Sequence, residues 1–536
     1  MDRPRLWSPG SPALHDAQVT VVAGDGSALD TRQVRCGIRR LGFSRSSGFT
    51  VNGRRARLRG TNRHQEHPYV GYAVPRLAQY RDARRIKEAG FDYVRLSHYP
   101  QSPDFLDACD EYGIVVMNCL PGWQFIGSER FREACYDNAR QLIRRDRHHP
   151  SVALWELSLN ETPMDEEFMA RLHAIGHEEY PGDQMFTCGW IDRFDVFTRS
   201  RQHGGIHHWR NGDKALVIAE YGDWEFYAAS EGFDQKTGAG LLPGKANSRK
   251  FRGDGERGMR QQAANHRLAL EDTLASPAVL DGQWSMFDYA RGDHPARAAC
   301  GVMDVFRLPK FSYHFYRSQR EPGEEGPGWN GGPMVFIASH WTPSSDLRVQ
   351  VFSNCDEVEL RLNGVSLGRR GPAPFGGGRH LPHPPVEFEL PAFVPGTLAA
   401  AEFIGGQLRA AHAVSTPGRV ARLEIRFDDL GLRADAAEPD LLIAHARICD
   451  PRGTLCVTDR STVNFTLDGG GRIVGPSTVP AEAGVASIVI EVSAGVRSFR
   501  LLADLEDGRC EPASCQWDRD HGATPLPQAA PLPVIP

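Results

Sequence analysis

The 536-residue sequence lacks the features that mark several common classes of protein. No apolar stretch approaches the length of a membrane-spanning helix. The opening segment, Met1 to Trp7, lacks the apolar core of a signal peptide. The formal net charge is only −5, so no strong overall field draws the chain toward nucleic acid or an anionic membrane. We therefore predict a cytoplasmic or periplasmic protein that binds neither, and whose sequence is either truncated at its start or a divergent short form.

Patterns for disulfide bonds and metal ligands are also missing. The 11 Cys form no CxxC pair, and several, such as Cys119 and Cys188, fall in apparent buried strands. Cys in such positions behaves as a small hydrophobic residue of a reducing compartment. The adjacent His pairs at 148–149 and 207–208 have no carboxylate or Cys at ligand spacing. We predict no disulfide framework, no catalytic metal and no cofactor.

Two apolar segments that end in acidic residues are the most informative features present. Val152 to Leu157 is followed by Asn160 and Glu161, and Ala215 to Ala219 is followed by Glu220. In a parallel array of strands and helices, reactive groups collect at the carboxyl ends of the strands. Each group alone has an ordinary explanation, because Asn caps helices well and a loop carboxylate is usually solvated.

Residues 48–320 alternate between strand and helix signals, which predicts a (β/α)₈ barrel. The helical segments include Pro103 to Tyr112 and Glu166 to Glu179. A polar, Gly-rich insertion, Glu231 to Gly255, follows the seventh strand and is expected to shape a pocket. The eight candidate strands are Ala56 to Gly60, Tyr93 to Ser97, Ile114 to Cys119, Val152 to Leu157, Met185 to Gly189, Asp195 to Thr198, Leu216 to Ala219 and Gln283 to Phe287.

The sequence predicts β-structure on both sides of the barrel. Residues 1–47 contain short β segments, too few to close a sandwich alone, and are interpreted as a partial immunoglobulin-like β-sandwich. Residues 321–333 are rich in Pro, Gly and Glu and are interpreted as a linker. Residues 334–415 and 419–507 alternate strands and turns and predict two β-sandwiches. Residues 523–536 form a Pro-rich tail that we expect to be disordered.

Further polar and aromatic residues recur where the candidate strands end. Asn62 and His64 follow the first strand, Arg95 lies in the second and His98 follows it, and Trp284 lies in the last. An aromatic face stacks on the C–H face of a sugar, while Asn, Arg and His bond to its hydroxyls. Two carboxylates facing one cavity are the minimum equipment for cleaving a glycosidic bond. Packing alone explains any one of these residues but not all of them together.

These segments resemble glycoside hydrolase family 2, the family of β-galactosidases and β-glucuronidases. Leu6 to Pro9 resembles the end of the family's immunoglobulin-like domain, and Val349 to Gly368 and Gly470 to Glu482 resemble later β-sandwich modules of one β-galactosidase branch. The family's amino-terminal sugar-binding domain has no counterpart here. The matching barrel segments are Gly60 to His64, Arg95 to Pro100, His149 to Glu161, Ile218 to Gly222, Gln283 to Tyr289 and Gly301 to Lys310.

The resemblance implies a retaining mechanism in which Glu161 is the general acid/base and Glu220 is the nucleophile. Such a mechanism needs the two carboxyls about 5–5.5 Å apart. Asn160 is then expected to bond the sugar 2-hydroxyl, and Arg95 to lie beside Glu220 and lower its pKa. His64, His98 and Trp284 are expected to line the subsite for the terminal sugar, with Asn62 also binding substrate.

Three departures from the family pattern qualify this expectation. The third strand ends Met117 to Cys119, where many relatives carry an acidic pair, which again predicts no catalytic metal. The sixth strand lacks a tyrosine that many relatives place near the nucleophile, and Tyr221 or Tyr227 is a possible substitute. An Asn-x-Lys signature of the kind that grips glucuronides is also missing, which favours a neutral sugar.

The sequence thus predicts a retaining exo-β-glycosidase that acts on terminal β-D-galactosides of an oligosaccharide or glycan. One alternative is a carbohydrate-binding or inactive remnant, because the missing amino-terminal sandwich leaves the pocket open on one side. The other is a β-glycosidase for a different sugar, namely a β-glucuronide, β-glucoside or β-mannoside.

Overall fold

The computed structural model describes residues 3–190, 193–200, 214–222, 250–290, 297–324, 326, 331–372, 380–433 and 435–523. Several predicted features lie outside these residues: His207 and His208, Tyr227, most of the insertion at 231–255 and nearly all of the tail at 523–536. Among the described residues, no helix has both the length and the apolar character that crossing a membrane requires.

Eight parallel strands close into a barrel, which confirms the predicted (β/α)₈ architecture. Neighbouring strands follow chain order around the barrel, and the last strand pairs with the first. Most residues of strands such as Val115–Cys119 are apolar because both faces of the strand are buried. The barrel strands are β8 (Leu58–Arg63), β9 (Tyr93–Leu96), β10 (Val115–Cys119), β11 (Val152–Glu156), β12 (Thr187–Gly189), β13 (Val196–Ser200), β14 (Leu216–Gly222) and β15 (Ala278–Trp284).

The helices around the barrel have recognisable start and stop signals. Ser102 accepts a hydrogen bond from the amide of Asp104, Pro103 occupies the first turn, and Gly113 ends the helix with φ +68°. The helices at Pro103–Tyr112 and Glu166–Glu179 have the predicted limits. The described helices are α1 (Arg76–Glu88), α2 (Pro103–Tyr112), α3 (Glu129–Asp146), α4 (Glu166–Glu179), α5 (Glu256–Leu274) and α6 (Phe311–Ser318), with a 3₁₀ turn at Arg252–Asp254.

The last barrel strand is the clearest error of the sequence prediction. The sequence pattern predicts it at Gln283 to Phe287, but it spans Ala278–Trp284. Asp281 and Gly282 interrupt the apolar pattern of this segment. The carboxylate is nevertheless tolerated in a buried strand because Asp281 accepts hydrogen bonds from the Gly60 amide and the Tyr221 hydroxyl.

Two kinds of β-structure precede the barrel. The hairpin of β3 and β4 stands in solvent, and Val19 and Leu29 are 61% and 67% exposed. The sheet of β5 to β7 instead packs Leu41 and Phe49 against the base of the barrel, next to Leu58. These elements are β1 (Trp7–Ser8), β2 (Ser11–Pro12), β3 (His15–Val22), β4 (Ala28–Cys36), β5 (Leu41–Ser44), β6 (Gly48–Val51) and β7 (Arg54–Ala56).

Two β-rich units follow the barrel, as predicted, and each has its own apolar core. The domain limits at 47/48, 320/321, 333/334 and 415/419 stay predictions. The first unit contains β16 (Val335–Ile337), β17 (Arg348–Ser353), β18 (Glu357–Leu362), β19 (Val365–Arg370), β20 (Val386–Glu389), β21 (Thr397–Ile404) and β22 (Gln407–Ser415). The second contains β23 (Arg422–Phe427), β24 (Asp440–Cys449), β25 (Thr462–Gly469), β26 (Arg472–Val474), β27 (Thr478–Pro480), β28 (Val485–Val492), β29 (Ser498–Leu505), β30 (Ala513–Asp518) and β31 (Gly522–Ala523).

A buried arginine joins the barrel to the second of these units. Arg81 of α1 bonds both carboxylate oxygens of Asp440, at 2.8 and 2.7 Å, and also the carbonyls of Asp429, Leu432 and Leu441. The side chains of Arg81 and Asp440 are 3% and 1% exposed. Loss of either partner would leave the other charge buried and unpaired, so the two units stabilise each other.

Candidate active site

The predicted nucleophile lies at the carboxyl end of the seventh barrel strand. Glu220 is buried and faces the barrel interior. The next residue, Tyr221, points the opposite way, because side chains alternate along a strand, and its hydroxyl donates to Asp281 at 3.3 Å. Tyr221 therefore belongs to the core between strands and helices rather than to the surroundings of Glu220. Tyr227, the other candidate substitute for the family's tyrosine, lies outside the described residues.

The guanidinium of Arg95 is the centre of a buried hydrogen-bond network. Its Nη1 donates to Glu220 Oε1 at 2.5 Å and to Asn62 Oδ1 at 3.1 Å. Its Nε and Nη2 donate to the two oxygens of Glu156, at 2.7 and 3.0 Å, and Nη2 also donates to Asn160 Oδ1 at 3.0 Å. An arginine has five N–H groups, and here each one has a protein acceptor. The structure thus places Arg95 beside Glu220 as predicted, but leaves it no donor for the substrate.

Asn62, a predicted sugar ligand, lies between Arg95 and the strand that carries Glu220. Its Oδ1 accepts hydrogen bonds from Arg95 and from the hydroxyl of Ser97. Its Nδ2 donates to the carbonyl of Ala219 at 2.8 Å, one residue before Glu220. Both ends of the amide are therefore used by the protein, and they fix the end of the strand that carries Glu220.

The predicted acid/base, Glu161, lies in the loop after β11 rather than in a strand. Glu161 is exposed, and its φ of +47° is an uncommon value for a residue with a side chain, which costs on the order of 1 kcal/mol. Trp123 Nε1 and Gln124 Nε2 donate to Glu161 Oε2 at 3.0 and 2.7 Å. The Asn160 amide also donates to the Gly122 carbonyl at 3.1 Å. The loop after β10 thus holds the segment that carries Glu161.

Three predicted sugar-binding residues come together beside Glu220. His98 stacks on Trp284 with the ring centroids 5.3 Å apart, and His64 meets Trp284 edge-on at 5.5 Å. His64 also stacks on Tyr289 at 4.2 Å. His98 Nε2 lies 3.9 Å from Glu220 Oε1, while its Nδ1 is buried and has no partner among the described residues. The aromatic wall thus brings His98 Nε2 close to the nucleophile, whereas the unpartnered nitrogen is the other one, Nδ1.

Burial determines the charge states in this wall and beside it. Burial, followed by the charge of Arg95, lowers the pKa of His64 to about 3 and holds the pKa of His98 well below its usual value, so both rings are neutral. Burial also raises the pKa of Glu220 to about 7. Arg95 opposes that increase, whereas the charges of Glu161 and Glu156 add to it.

The direction found for Glu220 corrects the sequence expectation, which was a lowered pKa. The expectation rested on Arg95 alone. In the structure Arg95 is shared with a second carboxylate, Glu156, and desolvation of Glu220 outweighs what remains of the attraction.

Several residues of this network were missed in the sequence. Glu156 lies inside an apolar strand and reads there as part of the core. Ser97, Trp123, Gln124 and Tyr289 occupy loops without a periodic pattern. One available signal was that Glu156 and Arg95 are opposite charges in the interiors of two apolar strands, because buried charges need partners.

The described residues offer no evident metal ligands around Glu161 and Glu220. At the end of β10, Asn118 donates to Asp146 and the thiol of Cys119 donates to Glu156. The prediction of no catalytic metal stays a prediction. Two groups with metal-like spacing lie toward the opposite end of the barrel strands, namely Asp107, Asp110 and His149, and His173, His177 and Asp195.

Three family models match parts of this chain. The model described as "Glycosyl hydrolases family 2, TIM barrel domain" matches residues 44–178, and "Glycosyl hydrolases family 2" matches residues 1–39. A third model, "Domain of unknown function (DUF4982)", matches residues 345–410.

Relatives with named activities align along most of the chain. A β-galactosidase of Thermoanaerobacter pseudethanolicus is 32% identical over 525 residues, which cover 92% of this chain and 65% of that protein. A β-glucuronidase of Formosa agariphila is 23% identical over 537 residues, which cover 95% of this chain and 51% of that protein. The chain therefore spans less than two thirds of the length of these relatives.

Solved structures share the fold. The crystal structure of a β-glycosidase from Bacteroides vulgatus superimposes with a TM-score of 0.77 at 21% identity, covering 96% of this chain and 70% of that one. The two glycoside hydrolase models match the segment before the barrel and the first part of the barrel, up to residue 178, and the similarity to the Thermoanaerobacter protein covers 92% of the chain. The chain belongs to glycoside hydrolase family 2.

Proposed function

We propose that the protein is a retaining β-glycosidase that removes terminal β-linked sugars, with β-D-galactosides as its substrates. The observation that supports this most directly is the network around Arg95. One guanidinium bonds both Glu220 and Asn160, the neighbour of Glu161. A candidate nucleophile and a candidate acid/base are thereby tied to the same buried group, with the aromatic wall of His64, His98 and Trp284 beside them.

In the first step, Glu220 attacks the anomeric carbon of the sugar. The bond between that carbon and the glycosidic oxygen breaks, and the leaving oxygen takes the proton of Glu161. The product of this step is a glycosyl ester on Glu220. The proton must come from a flexible, accessible group because leaving groups differ in size, and the exposed position of Glu161 suits that role.

In the second step, water replaces the leaving group. Glu161, now ionised, accepts a proton from the water, whose oxygen attacks the anomeric carbon as the ester bond to Glu220 breaks. The two inversions give net retention of the β configuration. His98 Nε2, which lies 3.9 Å from Glu220 Oε1, would bond a sugar hydroxyl, and Trp284 would pack against the C–H face.

The choice of a neutral sugar also has a structural reason. A glucuronide carries a carboxylate, which requires a cation or several donors in the pocket. Among the described residues, Arg95 is the cation bonded to Glu220, and all of its N–H groups already have protein acceptors. The β-galactosidase of Thermoanaerobacter pseudethanolicus is also more similar to this chain than the β-glucuronidase of Formosa agariphila.

The test combines a substrate panel with product stereochemistry. The purified chain is incubated with nitrophenyl β-galactoside, β-glucoside, β-mannoside and β-glucuronide, and the first product is identified by proton NMR before it mutarotates. We expect the highest kcat/KM on the galactoside and a β-configured first product. An α-configured product would contradict the retaining mechanism. Binding of the sugars without turnover of any substrate would instead support a carbohydrate-binding remnant.

A further inference from the structure

Glu156 is a buried charge that the proposed mechanism does not use. It ends β11, a strand otherwise made of Val152, Ala153, Leu154 and Trp155, and it is 1% exposed. A carboxylate in such a position costs several kcal/mol unless it is paired and hydrogen-bonded. An apolar residue would fill the site at lower cost, so the presence of Glu156 requires a physical reason.

The contacts of Glu156 converge on the nucleophile. Its two oxygens accept from Nε and Nη2 of Arg95, and Oε2 also accepts from the thiol of Cys119 at 2.9 Å. Two parallel hydrogen bonds define the plane of a guanidinium, which a single bond does not. With that plane defined, Nη1 of Arg95 points at Glu220.

We propose that Glu156 is a positioning residue for the nucleophile, which fixes the plane of Arg95 and limits how much positive charge Arg95 gives to Glu220. The proposal rests on the proposed function of Glu220. A carboxylate that is the sole anionic partner of a cation is a weak nucleophile, because the positive charge stabilises its negative charge. Sharing that cation with Glu156 leaves Glu220 more basic, and therefore more reactive once it has ionised.

The electrostatic direction follows from the groups that face Glu220 in the described part of the chain. Arg95 and His98 face it from the β9 segment, and Glu156 and Glu161 from the β11 segment. His98 is neutral because burial holds its pKa far below its usual value. Arg95 thus attracts the charge of Glu220, and the two acidic groups repel it. Removal of the Glu156 charge should therefore lower the pKa of Glu220.

The first test is the isosteric variant Glu156→Gln. The amide oxygen still accepts one bond from Arg95, and Asn62, Asn160 and Glu220 still hold the guanidinium, so the main change is the lost charge. We expect the acid limb of the kcat/KM–pH profile to move about one unit lower, with kcat reduced and KM little changed. A limb that stays in place, or moves to higher pH, would overturn the proposal.

Two further variants separate this role from a purely structural one. Asp146→Asn also removes a buried carboxylate of the barrel, one that bonds Asn118 and Arg145 and does not touch Arg95. It should lower stability without moving the acid limb. Glu156→Asp keeps the charge but is too short to span both donors. It should reduce kcat at least about tenfold with the limb unchanged, and full activity would overturn the positioning role.

A readout that does not depend on turnover keeps the two proposals apart. In protein labelled with ¹³C at the Glu carboxyls, Glu220 is assigned from the resonance lost in Glu220→Gln and is titrated directly. We expect it to titrate at lower pH in Glu156→Gln than in the parent protein. If this shift occurs in a protein without glycosidase activity, the proposed function fails while the role of Glu156 holds. If the titration is unchanged in an active enzyme, the proposed function holds while the role of Glu156 fails.

Discussion

The two carboxylates of the site lie on the same rim of the barrel but have different supports. Glu220 ends a barrel strand, is buried, and bonds Arg95 within a network that leaves no guanidinium donor free. Glu161 lies on a loop, is exposed, and is held by Trp123 and Gln124 from a second loop. The charge state of the first is therefore controlled by the protein. The second remains open to solvent on its other sides.

This difference suits the two chemical roles. A nucleophile must meet one carbon atom at one angle, which favours a rigid strand and several fixed partners. An acid/base must serve leaving groups of different shapes and then receive water, which favours an accessible position. The following predictions test whether the two sides of the site can be altered separately.

The largest effect is expected at Glu220. Glu220→Ala removes the group that forms the covalent intermediate, so kcat/KM on an aryl β-galactoside should fall at least about 10⁴-fold. Azide should restore part of the activity, because a small anion fits the space left by the carboxylate and attacks from the same face. The product should then be an α-galactosyl azide, identified by NMR. A variant that retains activity without azide would contradict the assignment.

The next effect is expected at Glu161, and it should depend on the substrate. Glu161→Ala should reduce kcat/KM about 10²- to 10⁴-fold on an alkyl galactoside, whose leaving oxygen needs a proton. The loss of the first step should be much smaller on dinitrophenyl galactoside, whose leaving group departs as a stable anion. Pre-steady-state release of dinitrophenol measures that step alone. Equal losses on both substrates would argue against proton donation by Glu161.

The pH dependence should show the burial of Glu220. This residue attacks only when ionised, and burial raises its pKa to about 7. The kcat/KM of the free enzyme should therefore fall about tenfold for each pH unit below about 7. Profiles on substrates with good and poor leaving groups should share this limb. An acid limb near 4.5 in both profiles would mean that Glu220 ionises as an ordinary carboxyl.

The same shift has a consequence for stability. Between the unfolded pKa near 4.5 and the folded value near 7, the native state holds a proton that the unfolded state has lost. Stability should therefore decrease as pH rises through this interval, by about 3 kcal/mol in the limit. Glu220→Gln carries no such charge, so its unfolding midpoint should exceed that of the parent above about pH 7. Urea unfolding at about pH 5 and about pH 8 measures the difference.

The smallest effect is expected at Trp123. Trp123→Phe keeps the ring but removes the Nε1 donor to Glu161, while Gln124 remains. Because the carboxylate is exposed and water can replace the lost bond, kcat/KM should fall only about two- to tenfold. Trp341→Phe is a matched control, since Trp341 is buried in the first β unit after the barrel. A loss in the variant of Trp123 as large as that of Glu161→Ala would mean that the loop does more than hold one carboxylate.

The site residues that could be predicted from the sequence are polar or aromatic residues at the end of an apolar segment. Glu161 and Glu220 stand out because each follows a run of buried residues, and His98 and Trp284 stand out because they repeat that placement. Glu156 could not be recognised as a site residue, because the sequence does not show which basic residue pairs with a single acidic residue in an apolar strand. That pairing depends on how the strands are arranged. For the same reason the sequence predicts the wrong direction for the pKa of Glu220.

The fold shows the same limit. The helix Pro103–Tyr112, which has the capping residue Ser102 at one end and Gly113 at the other, has the limits that the sequence predicts. The last strand was displaced because Asp281 is acceptable there only through bonds to Gly60 and Tyr221, which come from neighbouring strands. Capping residues and apolar patterns, which are local in sequence, therefore predict where helices and strands lie. They do not predict the role of a residue whose hydrogen-bond partners are distant in sequence.

The contact of Arg81 with Asp440 limits how this protein can be divided. A barrel excised before residue 419 would keep a guanidinium adapted to a carboxylate and three carbonyls that had been cut away. The barrel is therefore not separable from the last β unit, although the residues of the proposed site lie within the barrel. A chimera that takes its last β unit from another family member would need an acidic residue in place of Asp440 to pair with Arg81 of the barrel. The two residues would therefore have to be exchanged together.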